Sequence, residues 1–153
     1  MATEQGFFST PLGWLRVRCI DGAVVAVDFL SVPPSVEAPS DPCLIQALAW
    51  LAAYFARGSL PDLPPLAPAG TPFQQRVWRA LADIAPGQTR TYGELATRLG
   101  TVPRAVGGAL RANPIPIIIP CHRIVAAQGL GGYAGVSEEG RWRKAWLLAH
   151  EVA

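Results

Sequence analysis

Two apolar-rich runs, Trp14 to Ile20 and Ala23 to Leu30, flank the pair Asp21-Gly22. Apolar stretches around an Asp-Gly pair predict a β-hairpin closed by a type I′ turn. A Pro- and Ser-rich loop, 31–40, comes next. Leu44, Leu48, Leu51 and Phe55 then recur at i, i+4, i+7 and i+11, the period of a helix, over about Pro42 to Arg57. Gly58 is expected to end it. Leu60 to Gly70 holds four prolines and reads as a linker. No internal repeat is visible.

Beyond the linker the punctuation sharpens. Thr71-Pro72-Phe73-Gln74 combines an N-cap threonine, a proline at the first helical position and a glutamine three residues on, a capping box. Phe73, Val77, Leu81 and Ile84 supply the apolar stripe, and Pro86-Gly87 is expected to stop the helix. Thr91-Tyr92-Gly93-Glu94 is a second capping box, opening a short helix that Gly100 closes. Thr101-Val102-Pro103 opens a third, running to about Ala112. Two short helices joined by a tight Gly-containing turn predict a helix-turn-helix over about 93–112. The segment 114–120 is apolar but cut by prolines, so it is expected as a buried extended run. A glycine-rich loop, 129–135, precedes a last helix capped by Ser137, with Trp142, Trp146 and Ala149 taken as its core face.

The pattern therefore predicts an α+β chain. Residues 1–70 form a small lobe, a β-hairpin or sheet plus a helix with a Pro-rich linker. Residues 71–153 form a mainly helical lobe with the helix-turn-helix and a reactive-cysteine segment, 113–125. Of 153 residues half are apolar and 16% charged, enough for a buried core. The net charge of +2 hides an asymmetry. Residues 1–70 carry −3, and residues 71–153 carry nine Arg and one Lys against five acids. The second lobe is the part suited to a polyanion. No apolar run approaches a membrane span, and the first residues show no basic cluster ahead of an apolar stretch. Cys19, Cys43 and Cys121 form no CxxC pair, so they are expected as reduced thiols in a cytoplasmic chain, with no metal site.

The third helix offers an unusual surface. Arg104, Gly107, Gly108 and Arg111 share one face at i, i+3, i+4 and i+7, while Val106 and Leu110 turn inward. Two glycines cost a helix about 2 kcal/mol relative to alanine. Either another surface approaches the backbone closely, a DNA strand among them, or a neighbouring helix packs tightly there. The flanking arginines favour DNA, and a smooth face of small residues suits a minor groove read without regard to sequence.

Pro120-Cys121-His122-Arg123 places a thiol beside an imidazole. Only a thiolate is a strong nucleophile, and a nearby imidazole can produce one. Adjacent residues on an extended chain point to opposite sides. Cys121 and His122 must therefore lie in a turn or communicate through a water. A carboxylate is needed to orient the imidazole, and Glu151 is a candidate. Asn113, the sole asparagine, reads as a C-cap and, compatibly with that, as a brace between helix and reactive segment.

The run Arg104-Ala105-Val106-Gly107-Gly108-Ala109-Leu110-Arg111-Ala112-Asn113-Pro114, followed by Ile118-Ile119-Pro120-Cys121-His122-Arg123-Ile124-Val125, resembles the O6-alkylguanine-DNA alkyltransferases. Tyr92 to Ala96, Gly131-Gly132-Tyr133 and Lys144 to Glu151 extend the resemblance over roughly 71–151. It implies single-turnover repair: an alkyl group passes from guanine O6, less readily thymine O4, to Cys121. It also implies roles: His122 as base through a water, Glu151 orienting it, Tyr92 as donor to the purine, and Asn113 as hinge brace. Arg104 would fill the space left by the extruded base. Ala105, Gly107, Gly108, Leu110, Arg111 and Arg123 would meet DNA, and Ile124, Tyr133 and Ala134 would line the base pocket. No cofactor or metal is implied. The partner would be double-stranded DNA, bound through its minor groove by a monomer. Two other readings stay open on the residues alone: a non-enzymatic helix-turn-helix regulator, and a Cys-His hydrolase or thiol transferase.

Overall fold

The computed structural model describes residues 3–35, 38–131 and 137–153. They fall into two compact units, 1–69 and 70–153. Each is built around its own core.

Unit one is an antiparallel sheet in the order β1 (Thr3–Thr10), β2 (Gly13–Ile20), β3 (Ala23–Leu30), with helix α1 (Pro42–Ala56) packed on it. The expected hairpin is β2–β3. Asp21 and Gly22 at its tip have φ 50 and 77, the two left-handed residues that a type I′ turn requires. Leu15, Val17 and Cys19 alternate into the core. Strand β1 has no counterpart in the sequence reading. Its middle residue is Gly6, which removes the apolar alternation there. The reason is packing: a Cβ at Gly6 would lie 3.1 Å from Leu48 Cδ1 of α1.

Asp41 caps α1 by accepting from the Leu44 amide at 3.0 Å. The helix ends on Arg57, not Gly58, with φ 57. The buried stripe is Cys43, Leu44, Ala47, Trp50, Leu51 and Tyr54, so Leu48 and Phe55 move to its margin. The two large rings set the rotation of the helix more than leucine spacing does. The Pro-rich segment is not a free linker. Val24 donates to the Pro65 carbonyl and accepts from Ala67, both at 2.8 Å, so the chain is pinned along β3. Proline cannot donate to a ladder, and here only the Ala67 amide has to.

In unit two, α2 (Pro72–Leu81) and α3 (Tyr92–Leu99) both begin with complete capping boxes. Helix α2 stops well before Pro86-Gly87. Tighter bonds from the amides of Ala82, Asp83 and Ile84 to Arg79, Ala80 and Leu81 close it and keep Ile84 buried. Gly100 ends α3 at φ 68, and α4 (Pro103–Arg111) follows at once. Trp78 of α2 donates its indole N–H to the Ala109 carbonyl of α4 at 2.8 Å, fixing the two helices together. Strand β4 (Arg90–Thr91) pairs in parallel with β5 (Ile124–Val125). The last helix is α5 (Glu138–Val152), capped by Ser137.

Two expectations fail here. The segment 114–120 is buried but not extended. It is a chain of turns in which the Ile119 amide bonds to the Ile115 carbonyl at 2.9 Å and Ile117 sits at φ 73. Proline forbids a helix, not a turn. On α5 the core face is Gly140, Lys144 and Leu147 rather than the tryptophans. Trp142 is 51% exposed, and Trp146 stacks on His150 with ring centres 4.7 Å apart.

Candidate active site

Cys121 opens a short 3₁₀ turn, Cys121–Arg123, that starts where the folded loop 114–120 ends. The turn answers the geometric problem of a thiol next to its imidazole. Asn113 winds the loop from inside: its side chain accepts from the Ile115 amide and donates to the Ile119 carbonyl, both at 2.9 Å. It thus braces the loop, while the C-cap of α4 is the preceding residue, Ala112. His122 is fully buried, and its Nε2 lies 2.6 Å from Glu151 Oε2. Glu151 comes from the last turn of α5.

Arg123 departs from the sequence reading. Expected on a DNA-facing surface, it is buried. Its Nε and Nη2 donate to the two Glu151 oxygens at 2.9 and 3.0 Å, and Nη1 donates to the Ile84 carbonyl at 2.7 Å. In a 3₁₀ turn the third residue swings back toward the helix that supplies Glu151. A bidentate guanidinium fixes the carboxylate plane, and arginine never loses its charge. Glu151 therefore presents a fixed anion to the imidazole.

Lys144 was not singled out from the sequence. It is the only lysine in the chain, against twelve arginines, and it is fully buried. Its Nζ donates to the Ile124 carbonyl at 2.5 Å and lies 5.6 Å from the centre of the Tyr92 ring. An isolated lysine in an arginine-rich chain was the available signal, since arginine is bulkier and cannot shed its proton. The β4–β5 pairing sets Thr91 against Val125, which brings Tyr92 beside this group. Gly131 lies against the same ring: at φ 74, a Cβ there would come 2.8 Å from Tyr92 Oη.

The electrostatics follow from burial. The Cys121 thiol is pushed up to about 11 by desolvation, opposed by the Asn113 side chain and the Lys144 charge. Desolvation lowers His122 against the pull of Glu151, so the imidazole is neutral near pH 7. Lys144 is brought down to about 8 by desolvation, partly offset by Cys121. A neutral base, a fixed carboxylate and a cation beside a sulfur can together make and hold a thiolate.

Helix α4 carries the other half. Arg104 and Arg111 are exposed, and Ala105, Gly107 and Gly108 are half-buried. A Cβ on Gly107 or Gly108 would meet only the Arg111 side chain, at 3.6 and 4.0 Å. Among the described residues no second helix packs there, which removes the tight-packing explanation of the glycines. Leu110, expected to line DNA, is 9% exposed and turned to the core, as its place opposite the glycine face dictates. Ile124 is fully buried. Tyr133 and Ala134 lie outside the described residues. Metal-ligating side chains converge at one place among the described residues, Cys19, Asp41 and Cys43 in unit one, remote in sequence from the Cys-His turn.

Comparison with known proteins gives one answer. The family described as 6-O-methylguanine DNA methyltransferase, DNA binding domain, matches residues 72–153. The methylated-DNA–protein-cysteine methyltransferase of Salmonella typhimurium is 52% identical over 66% of this chain, which spans 59% of that relative's length. The protein of the same name from Methanosarcina acetivorans is 41% identical over 83% of this chain and 86% of its own. The solved structure of Mycobacterium tuberculosis OGT in complex with DNA superposes with a TM-score of 0.80 at 38% identity, covering 97% of this chain and 92% of that one. A buried Cys-His turn backed by a carboxylate, an open glycine face on the second helix of a helix-turn-helix, and these matches together place the chain in the O6-methylguanine-DNA methyltransferase family.

Proposed function

We propose that this protein repairs DNA by moving an alkyl group from guanine O6, less readily from thymine O4, to Cys121 in a single stoichiometric transfer. The observation that carries the reading is the buried His122–Glu151 pair directly following Cys121 in one turn, Nε2 to Oε2 2.6 Å. With its thiol held near 11, Cys121 is ionised in only about one molecule in ten thousand at pH 7. The proton must therefore leave as attack begins. Glu151 holds His122 at Nε2, so the proton travels from Sγ through a water to Nδ1. A base of this kind contributes about 10²–10⁴-fold. Lys144 and Asn113 favour the charged sulfur. The S–C bond forms as the C–O6 bond breaks, and the leaving purine takes a proton with Tyr92 as donor. The product is a thioether, which no thiol reductant reverses, so each molecule acts once.

The target atom is out of reach in a stacked duplex, so the base is extruded at a cost of a few kcal/mol. Helix α4 approaches the minor groove of double-stranded DNA through its glycine face, without sequence preference, while Arg104 occupies the vacated space and Arg111 and Ala105 meet the backbone. Ile124 lines the base pocket. The protein acts as a cytoplasmic monomer. No described helix is long and apolar enough to cross a membrane.

The test is intact mass after mixing with a duplex that carries one O6-methylguanine. A gain of about 14 Da on Cys121 that stops at one equivalent is expected. Folded protein that gains nothing, or that turns over repeatedly, rejects the proposal.

A further inference from the structure

Outside the Cys-His turn, one pair of nucleophilic groups has no part in the chemistry above. Cys19 on β2 and Cys43 on α1 are 24 residues apart, both buried, both free thiols, with sulfurs 2.8 Å apart. We propose that Cys19 and Cys43 are a reversible disulfide site in unit one, oxidised by small disulfides independently of Cys121.

The separation discriminates between two uses of such a pair. A disulfide bond is about 2.0 Å long. Two thiolates on one tetrahedral zinc, each about 2.3 Å from the metal, stand about 3.8 Å apart. The observed 2.8 Å lies nearer the bond. Asp41, the third group in the cluster, already uses Oδ2 to cap α1 at the Leu44 amide. No fourth ligand joins this cluster among the described residues. The two thiols also differ in position. Cys43 is the second residue of α1, at a helix end, whereas Cys19 lies within the central strand β2, where burial and then the hydrogen bond to Cys43 hold its proton on. Cys43 is therefore the thiol a small disulfide reaches first, and Cys19 is its neighbour that resolves.

The step balances. The Cys43 thiolate attacks one sulfur of a low-molecular-weight disulfide and expels a thiolate, leaving a mixed disulfide. Cys19 then loses its proton and attacks the Cys43 sulfur, expelling the second thiolate. Two protein thiols are oxidised and one disulfide is reduced to two thiols. Access to Cys43 comes from fraying of the first turn of α1, the ordinary behaviour of a helix end.

The experiment uses the full chain and oxidised glutathione, followed by alkylation of remaining thiols, intact mass and non-reducing peptide mapping. The expected product has lost about 2 Da, links the Cys19 and Cys43 peptides, retains an alkylatable Cys121 and reverts with dithiothreitol. Its melting temperature rises by roughly 5 °C or more, as a closed loop of this length predicts. Cys19→Ser should instead accumulate a glutathione adduct on Cys43, because nothing resolves it. A persistent adduct on wild-type Cys43 overturns the proposal, and so does linkage to Cys121 or no linkage at all. One equivalent of zinc retained through purification, shielding both thiols until chelated, overturns it in favour of a metal site.

Discussion

Glu151 is held by His122, by Arg123 and, at 3.4 Å, by the Gly87 amide, and its neutral variant should separate their roles. Glu151→Gln leaves the Arg123 charge buried without its partner, which costs about 3–5 kcal/mol. It also removes the anion that orients His122 and stabilises the imidazolium formed when the thiol proton arrives. Under conditions where the variant is still folded, the alkyl-transfer rate should drop at least about 100-fold. Single-turnover kinetics beside a urea titration checks both, and an unchanged rate in folded variant would remove Glu151 from the chemistry. Cys121 and Lys144 make opposite demands on pH. The native thiol ionises near 11, above an unfolded cysteine, so between about pH 9 and 11 the unfolded chain sheds a proton that the fold retains, and stability falls. Native Lys144 titrates near 8, below an unfolded lysine, so between about pH 8 and 10 stability rises. Urea midpoints from pH 8 to 11 should therefore fall less steeply for Cys121→Ser than for wild type, and more steeply for Lys144→Met.

At the level of elements, α4 sacrifices helix propensity for an open face. Gly108→Ala fits the helix, since its Cβ would meet nothing nearer than Arg111 at 4.0 Å. It should raise stability by about 0.5–1 kcal/mol while weakening affinity for duplex DNA and leaving the reaction with free O6-methylguanine base unaltered. Unweakened duplex binding would mean that the glycines do not face the groove. Arg104→Ala should slow repair in duplex more than in single strands, because only the duplex requires extrusion. Repair rates on matched oligonucleotides give the comparison. The helices were legible in sequence wherever a side chain punctuates the backbone, as at Thr71, Thr91, Gly100 and Ser137. They were misread where spacing alone was available. Trp142 and Trp146 have helical periodicity, but a short helix with one buried face has room for small Gly140 and for Lys144, whose amine reaches a carbonyl. The proline-cut loop defeated the reading for a different reason. Its shape is set by the Asn113 side chain bonding across six residues, and no local propensity encodes that.

Across the whole molecule, positive charge and chemistry are concentrated in residues 71–153, and the described site residues all fall in unit two. The motif around Cys121 carried most of the functional reading because its residues are neighbours in sequence. What joins them from a distance was less visible. Arg123 reads as a surface cation until Glu151 folds back on it, and β1 reads as nothing until α1 covers Gly6. The buried side chains around the sulfur also have a net balance. Arg123 and Lys144 contribute two positive charges, Glu151 one negative, and His122 is neutral. Loss of the Cys121 proton brings the sum to zero. A thioether can never supply that anion. A spent molecule keeps the surplus of one that the neutral thiol already left, with no means to cancel it, so NMR titration of the Lys144 side chain should register the same midpoint after reaction as before; a large shift would mean that the resting sulfur was already an anion.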